Sequence, residues 1–563
     1  MAPRTDAVGE ADALIPERRA RSAGLVSAGI LLSRIAGLAR ERALGHFFGA
    51  SVHADAWRAA LRLPNVIQNL LGEGTLSASF IPVYARMVEQ DRKEAARRFA
   101  GAVFGLLFLA AGGMVLVGMA LAPLLVSVLF PRFDPEQHAR TTELVRILFP
   151  MTGVLVLSAW SLGVLNTHRR FFLPYVAPVA WNAAILVALV GGGWLLGWDA
   201  DALIRLTAWG ALVGGALQFG VQFPAALRLA GGLGGSLRPW MATRVEGVRE
   251  AMRAFFPVLA GRGVVNVGGL LDYALAGLLA AGALSVLGYA QVLYMLPISL
   301  FGMAVAASEL PELARTRAGA KTEVTPGSPA SLALADSVRS GMLRVAYFLV
   351  PSVAVYLVLG DVVVAALYQT GAFGPVEVRL TWAILAAYAL GMGASATSRL
   401  LSSAFYALGN TATPARVAVL RVVVALALGA TLMFPLDRLE VGEGLRYGAV
   451  GLALGSAVAA WLELVVLRRR LARDIGPHGS GAGSVLRLVA AAAAAVAAGW
   501  GTRLGLVAIV PGLHPIPMAV GTLGITGLVY LGLTALLGVR SPLREVLGRR
   551  RRKGSGRGGE GTP

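Results

Sequence analysis

Arginine and amide side chains interrupt two strongly apolar stretches near the N-terminus, and their types and spacing suit them to binding an anion. Arg34 and Glu41 are seven residues apart, which places them near one face of a first helix. Arg62, Asn65 and Asn69 follow at i, i+3 and i+7 and share a face of a second helix. An ionisable group at membrane depth is costly unless it faces protein or water, so these residues are candidates for a functional cavity.

The chemistry that these residues support is binding rather than catalysis. An arginine fork donates two parallel hydrogen bonds to a phosphate and keeps its charge at any relevant pH. The sequence contains no HExxH, GxSxG or Walker motif, no acidic cluster for a metal and no cysteine, so transport or scaffolding is favoured over an enzyme. Two alternatives stay open. The polar residues could support one another structurally, and Arg40 and Arg42 could extend to the membrane interface from a helix end.

The composition places these residues in an integral membrane protein. Of 563 residues, 56% are hydrophobic and 15% are charged, and the mean hydropathy is +0.68. Uncharged runs such as Phe104 to Phe130 exceed the roughly 20 residues that cross the hydrocarbon core, which predicts helices. The net charge of +20 comes from arginines in alternate loops, which indicates positive-inside topology rather than nucleic-acid binding. No cleavable signal peptide is expected, because Met1 to Arg21 lacks an apolar core.

The apolar runs predict an all-α polytopic fold with about fourteen transmembrane helices. The predicted spans are 23–45, 60–84, 100–130, 144–166, 173–197, 203–226, 252–280, 284–308, 341–369, 379–406, 415–435, 447–468, 485–510 and 516–538. An even number places both termini on one side of the membrane, and the arginine-rich loops identify that side as the cytoplasm.

Two sequence patterns each occur twice in the chain, and these two echoes indicate an internal duplication with parallel orientation. The pattern S-x-x-P-x-x-A-R occurs at 79–86 and again at 308–315, and an Asn-Thr pair before Pro174 resembles one before Pro414. Transporters are often built from two such related bundles, which predicts two six-helix lobes related by a pseudo-two-fold repeat, plus a C-terminal helix pair. The predicted segments are a cytoplasmic N-terminal segment 1–22, an N-lobe 23–226, a cytoplasmic linker 227–251, a C-lobe 252–468, a helix pair 485–538 and a basic disordered tail 539–563.

The second predicted bundle carries its own polar and ionisable residues. Arg262, Asn266 and Asp272 lie on the seventh span, and Arg421 lies inside the eleventh. Arg262 and Asp272 are separated by about 15 Å along a helix, so each requires a partner from another helix or from water. Arg399, nearer the cytoplasmic end of the tenth span, is expected to extend to the interface.

Six motifs in a consistent order carry a resemblance to a known family. They are SRIAGLARE at 33–41, FFGAS-x-x-ADA at 47–56, RLPN at 62–65, GEGTLSASFIPVYAR at 72–86, LNTHRRFFLPYVAPVAWN at 165–182 and FYALGNTATP at 405–414. In these motifs and across most of its length the chain resembles the MurJ (MviN) lipid II flippases of the multidrug/oligosaccharidyl-lipid/polysaccharide exporter superfamily.

The resemblance implies a function and a set of site residues. It implies a bacterial inner-membrane flippase with two lobes, a central cationic cavity for the polyprenyl-diphosphate disaccharide-peptide, and a groove beside the last helix pair for its lipid tail. Alternating access would carry the headgroup outward without a nucleotide or other cofactor, driven by membrane potential or sodium. Membrane lipids and cell-wall synthesis proteins are the further partners that it implies. The positions that it assigns to the substrate are Arg34, Arg40, Asp55, Arg62 and Glu73, to which the helical-face argument adds Asn65.

The chain also departs from the family pattern. Gln68 and Val292 stand where many members have cavity arginines, and we hypothesise that Arg262, with Arg421 as a second candidate, restores that charge. Asp272 matches a sodium-site position of some members, but the eleventh helix lacks the corresponding Asn and Asp ligands, which argues against sodium coupling.

Two rival functions remain on sequence grounds. One is export of another polyprenyl-linked glycan, or multidrug antiport, which the missing cavity arginines favour. The other is a non-transporting scaffold that recruits cell-wall enzymes through its basic loops and tail. Deleting 549–563 would abolish the function of a scaffold, whereas substitutions in the cavity would not.

Overall fold

The computed structural model describes residues 28–234, 244–302, 327–479 and 481–539. These residues form two compact units. The first extends to Ser285 and includes Thr370–Phe373, and the second contains Val286–Gln369 and the chain from Gly374 onward. The predicted N-terminal segment 1–22 and the tail after residue 539 lie outside the described ranges.

The first unit is built from helices that follow one another through short turns. They are α1 (28–48), α2 (Val52–Leu71), α3 (Glu73–Glu89), α4 (Lys93–Ala120), α5 (Ala122–Leu129), α6 (Pro135–Thr167), α7 (Phe172–Val190), α8 (Ala200–Leu229) and α9 (Val248–Ala276). A π-helical turn, Gly191–Leu195, continues α7. A hydrophobic core of this unit lies between α3, α4, α6 and α8, and within it Phe80 stacks on Tyr84 and Phe99.

The second unit repeats this style of construction. Its helices are α10 (Ala283–Pro297), which begins at the boundary between the units, α11 (Pro329–Val358), α12 (Gly360–Tyr368), α13 (Pro375–Ala407), α14 (Ala412–Leu436), α15 (Gly448–Ile475), α16 (Ala482–Ile509) and α17 (Pro515–Leu536). A short antiparallel hairpin, β1 (Glu440–Gly442) with β2 (Leu445–Arg446), joins α14 to α15. Its turn places Glu443 and Gly444 at φ 54° and 78°, as a two-residue hairpin loop requires.

The prediction of an all-α polytopic membrane protein is confirmed, whereas the count of fourteen spans is not. Eleven helices within the described ranges are long and apolar enough to cross a membrane. The predicted spans outside these eleven correspond to α1, α2 with α3, and α9. In α1 and α2 the ionisable residues from Arg34 to Arg62 account for this difference, and α3 has 17 residues. In α9 some side chains lie outside the described part of the structure.

The second predicted span, 60–84, is not one continuous helix. It is divided at Gly72, which has φ −80° and ψ −148°, and a Cβ atom there would lie 2.2 Å from the Gln68 carbonyl oxygen. The Thr75 hydroxyl donates to the Leu70 carbonyl at 2.6 Å and so satisfies an acceptor that the break leaves over. Broken backbone at membrane depth is tolerated where it is buried in protein or lines a cavity, and this break adjoins a cavity.

The order and lengths of the helices are similar in two parts of the chain. The series α4 to α8 and the series α11 to α15 both consist of a long helix, a short helix, a 33-residue helix and two further long helices. Both 33-residue helices, α6 and α13, begin with a proline in the first turn. These regularities support the duplication, while residues 308–315 of the first echo lie outside the described ranges.

The turn after each 33-residue helix fixes the register of the duplication. Arg169 and Gly409 both adopt a left-handed conformation, with φ of 58° and 78°. The next N–H in each turn donates back five residues, from Arg170 to Leu165 and from Asn410 to Phe405. This register pairs Pro174 with Pro414 as expected, but it separates the two Asn-Thr pairs, so that part of the second echo is wrong.

Helix α9 belongs to the first unit by its spatial contacts, whereas the sequence pattern groups it with the predicted C-lobe, which begins at residue 252. The loop residues Thr370–Phe373 also belong to the first unit, where the Ala372 N–H donates to the His46 carbonyl at 2.8 Å. The predicted lobe boundaries, as functional domains, stay a prediction.

Candidate functional site

A polar cavity of about 450 Å³ lies inside the first unit. Residues of α1, α2, α3, α6, α7 and α8 line it, and the polar ones are mainly amides and hydroxyls. Those used below are Arg34, Gln68, Asn69, Ser158, Gln218 and Gln222. A set of polar groups of this kind can bind a ligand that is itself rich in hydrogen-bonding atoms.

Arg34 supplies the positive charge of this cavity. Among the described residues that line the cavity it is the charged one. It is exposed, and it makes no hydrogen bond or ion pair within the described ranges. An arginine in an apolar helix with no protein partner is available to an anionic ligand, because its fork can then bind two oxygens at once.

The helix break adds a second feature suited to anions. Gly72 and Gly74 both line the cavity, so the first turn of α3 opens at its wall. Gly72, as N-cap, supplies no side chain to that turn. The N-terminus of a helix carries partial positive charge, so its position here acts in the same direction as Arg34.

Gln222 is a buried amide that is only partly satisfied. Its Nε2 donates to Ser158 Oγ at 2.9 Å and to the Gln218 carbonyl at 3.3 Å. Its Oε1 is buried and has no protein partner in the described part of the chain. Because an unpaired buried acceptor is costly, this oxygen is suited to a hydroxyl or N–H donor of a ligand or to a water molecule.

Arg40 is close to Arg34 in sequence but has a different environment. Its Nη2 donates to Glu41 Oε1 at 2.6 Å, and its guanidinium lies 4.7 Å from the centroid of the Trp181 ring. Glu41 is buried and also accepts a hydrogen bond from Arg58. The two arginines and one glutamate therefore form an ion cluster, and Arg40 is not among the residues that line the cavity. Contact of Arg40 with substrate stays a prediction.

Asp55 is fully buried and serves as a helix cap. Its two carboxylate oxygens accept hydrogen bonds from the backbone N–H groups of Gly282 at 2.6 Å and Ser285 at 2.8 Å. These donors belong to the start of α10, where backbone N–H groups lack intrahelical partners. Direct contact of Asp55 with substrate stays a prediction that these hydrogen bonds do not support.

The remaining predicted positions are divided between α2, α3 and α9. Arg62 lies over the Tyr273 ring, 4.9 Å from its centroid, and its Nε is buried without a hydrogen bond in the described structure. Asn65 is partly buried and does not line the cavity. Glu73 and Arg262 lie on α3 and α9, but their side chains are outside the described part of the structure.

Asp272 is half-buried on α9. No group of three or more His, Cys, Asp or Glu residues able to hold a metal occurs among the described residues. Its assignment as a sodium ligand therefore stays a prediction.

The arginine of the second unit that was expected to add cavity charge is already paired. Arg421 donates to Glu463 Oε2 at 2.7 Å and to Ser395 Oγ at 3.2 Å. Ser395 also accepts a hydrogen bond from the Tyr294 hydroxyl at 3.1 Å. Because Glu463 neutralises its charge, these contacts do not support Arg421 as a replacement for a missing cavity arginine.

Sequence reasoning missed the α8 side of the cavity. Gln218 and Gln222 are spaced i, i+4 in an apolar helix, and this spacing puts both on one face. Two amides on one face of a membrane span could have identified α8 as part of a polar cavity. Gln68, where the resemblance led us to expect an arginine, does line the cavity and contributes an amide to it.

Ion pairs outside the spans order the arginine-rich end of the first unit. Arg92 binds Glu246 through two hydrogen bonds of 2.9 and 2.5 Å, which joins the α3–α4 turn to the segment before α9. The hydrogen bond from Arg92 and its charge lower the pKa of Glu246. Both groups are solvent-exposed, so this pair orders the loops rather than stabilising the fold strongly.

A family profile and individual relatives all match the chain to the same family. The profile of the family described as "Lipid II flippase MurJ" matches residues 44–516. A protein of Rhizobium meliloti named "Probable lipid II flippase MurJ" is 32% identical over 446 residues, which are 78% of each chain. The "Lipid II flippase MurJ" of Burkholderia cenocepacia is 31% identical over 445 residues, which are 78% of this chain and 81% of that one.

Solved structures show the same fold at lower sequence identity. A lipid II flippase MurJ in an inward closed conformation superposes with a TM-score of 0.72 at 20% identity, covering 91% of this chain and 98% of the other. An inward-facing multidrug resistance transporter of the MATE family, in the MOP superfamily, has a TM-score of 0.62 at 15% identity, covering 78% and 94%. At these sequence identities, the two structures show only that the fold is shared.

Proposed function

This chain belongs to the MurJ lipid II flippase family, and we propose that it moves lipid II, the polyprenyl-diphosphate-linked peptidoglycan precursor, from the cytoplasmic to the outer leaflet. The observation that carries the proposal is Arg34, a cation without a protein partner in the described structure, in an amide-lined cavity within membrane helices. The family match supplies the class of substrate.

The cavity is chemically suited to part of this substrate. A diphosphate presents clustered oxygens to the Arg34 fork and to the first turn of α3. Sugar hydroxyl and acetamido groups require both donors and acceptors, which Gln68, Asn69 and the unpaired Gln222 Oε1 can supply. We propose that this cavity is exposed to the two sides of the membrane in turn, so that the headgroup is bound on one side and released on the other.

The family and the charge distribution support a proposal for the location and the partners of the chain. The chain is a multi-pass membrane protein of a lipid II flippase family. We propose that it lies in the bacterial inner membrane with both termini in the cytoplasm, because its arginines concentrate in alternate loops. Direct contacts with membrane lipids and with cell-wall synthesis proteins are part of the proposal, as is transport without nucleotide and with membrane potential or a sodium gradient as the drive.

The rival functions receive no support beyond fold. The MATE transporter shares architecture at 15% identity, which does not identify a multidrug substrate. A scaffold requires no cavity containing a cation without a protein partner. Transport of lipid II is therefore the function that the cavity and the family favour together.

The test is complementation of a strain depleted of its own lipid II flippase, read as accessibility of lipid II headgroups to an external probe. The chain should restore accessibility. Arg34→Ala should abolish it at equal membrane expression, whereas Arg98→Ala, which removes an exposed arginine on α4, should leave it intact. Unchanged accessibility on expression of the native chain would contradict the proposal.

The same assay measures the contribution of Arg262. If Arg262 restores the charge lost at positions 68 and 292, then Arg262→Ala should lower accessibility as Arg34→Ala does. Full activity of Arg262→Ala beside inactive Arg34→Ala would remove Arg262 from the substrate-binding set.

A further inference from the structure

A second pocket, of about 370 Å³, lies in the second unit between the first half of α11, the start of α16 and the end of α17. Arg339, Arg344 and Arg487 line it together with Asp336, which leaves a net charge of +2. We propose that this pocket binds the phosphate of one anionic phospholipid, as a site separate from the substrate cavity.

Two of the three arginines are held in place by neighbouring groups. Arg339 donates from Nε to the Gly479 carbonyl and from Nη1 to Asp336 Oδ1, both at 3.2 Å. Arg344 donates from Nη2 to Ser340 Oγ at 2.9 Å. An arginine that is already oriented loses less side-chain entropy when it binds an anion, so the pocket is organised before its ligand arrives.

Arg487 lacks such support. It is exposed and has no hydrogen bond or ion pair within the described ranges. It lies in the second turn of α16, whose N-cap Gly481 provides no side-chain hydrogen bond. A positive side chain near the positive end of a helix is unfavourable, and a bound anion would offset both charges.

The surroundings favour a lipid over a free ion. The buried side chains of Tyr347 and Leu488 belong to a core that joins α11, α16 and α17, and all three helices are long and apolar enough to cross a membrane. On either side of Arg487 in sequence, Leu486 is 69% exposed and Val489 is 46% exposed, as expected where acyl chains pack. Arg487 lies about 7.5 Å along α16 from its first residue, a depth suited to a headgroup phosphate.

The position within the chain identifies the leaflet. The pocket lies next to the arginine-rich segment 468–473 and to the last described residues before the basic tail, which positive-inside topology places in the cytoplasm. Basic pockets between transmembrane helices on that side recognise anionic lipid headgroups. The expected ligand is therefore an anionic phospholipid of the cytoplasmic leaflet, such as phosphatidylglycerol.

The test is titration of the purified full chain with phosphatidylglycerol, with bound lipid counted by native mass spectrometry. The double variant Arg339→Gln/Arg487→Gln should bind the first lipid at least roughly tenfold more weakly, because it loses charge-assisted hydrogen bonds. The control Arg469→Gln/Arg470→Gln removes the same charge from exposed positions at the end of α15, outside the pocket, and should bind as the native chain does.

Three further arms separate the alternatives. Phosphatidylcholine, which is zwitterionic, and glycerol 3-phosphate, which has no acyl chains, should each bind more weakly than phosphatidylglycerol. A chain ending at Val539 should keep the site if the pocket, rather than the basic tail, forms it. Equal binding by the double variant and its control would overturn the proposal, as would loss of binding in the truncated chain alone or equal affinity for glycerol 3-phosphate.

Discussion

Arg34 in the first unit and Arg421 in the second both lie inside apolar helices but have opposite electrostatic environments. In the first unit Arg34 enters a cavity without a partner in the described structure, and Arg62 contacts an aromatic ring. In the second unit Arg421 pairs with Glu463, and Arg503 pairs with Asp361 at 2.7 Å. Because no carboxylate in the described structure neutralises Arg34, the first unit should carry more of the recognition of the diphosphate than the second.

The largest expected loss of stability concerns the Arg40–Glu41–Arg58 cluster of the first unit, where arginines are paired with a carboxylate as in the second unit. Glu41→Ala removes the shared, buried partner of Arg40 and Arg58, and it leaves two partly buried arginines without a carboxylate. Breaking a buried ion pair by removing one partner costs about 3–5 kcal/mol of unfolding free energy. Denaturant unfolding in mixed micelles measures it, and a loss below about 1 kcal/mol would show that water already solvates this cluster.

A smaller loss of stability is expected when the Arg421–Glu463 ion pair of the second unit is broken. Arg421→Ala should lower the unfolding free energy by about 2–3 kcal/mol, because Glu463, with a side chain 10% exposed, loses its partner. The paired replacement Arg421→Met/Glu463→Leu should recover most of that loss and should retain lipid II transport. If the paired variant is stable but inactive, the ion pair takes part in transport and the contrast between the units fails.

A smaller effect tests why an arginine, rather than any cation, occupies position 34. Arg34→Lys keeps the charge but replaces the fork with a point charge, so binding of a diphosphate should weaken by about 1–2 kcal/mol. Lipid II titration of the purified protein measures this change. Full affinity would mean that charge alone matters, and unchanged unfolding would confirm that the position is not structural.

The smallest effect should be common to both units. Burial lowers the pKa of His168 between α6 and α7 and of His478 after α15, both outside the spans. Because the unfolded chain takes up protons more readily, the stability from these groups is complete above about pH 6.5 and is lost as the pH falls toward the lowered pKa values. Unfolding temperatures at pH 8 and pH 5.5 should differ less in His168→Gln/His478→Gln, and an equal difference would assign the loss to other groups.

Part of the site was predictable because helical spacing is a local property. The apolar run around Arg34 marked that residue as a functional candidate, and the structure places it in the cavity. Asp55 could not be assigned in this way, since its hydrogen-bond donors are 227 and 230 residues away in the chain. The place of Gln222 in the site could not be assigned from the sequence either. Its side chain on α8 donates a hydrogen bond to the Ser158 hydroxyl on α6, and only packing brings these two helices together.

The sequence by itself determined the membrane class, the helical fold and the family, because hydropathy, loop charge and motif order are read along the chain. The tertiary structure decided which charges are free, where the second span breaks and which helix groups with which unit. Those features depend on which groups meet across hundreds of residues. A charge buried beside a carboxylate and a charge facing a cavity are indistinguishable until the helices have packed.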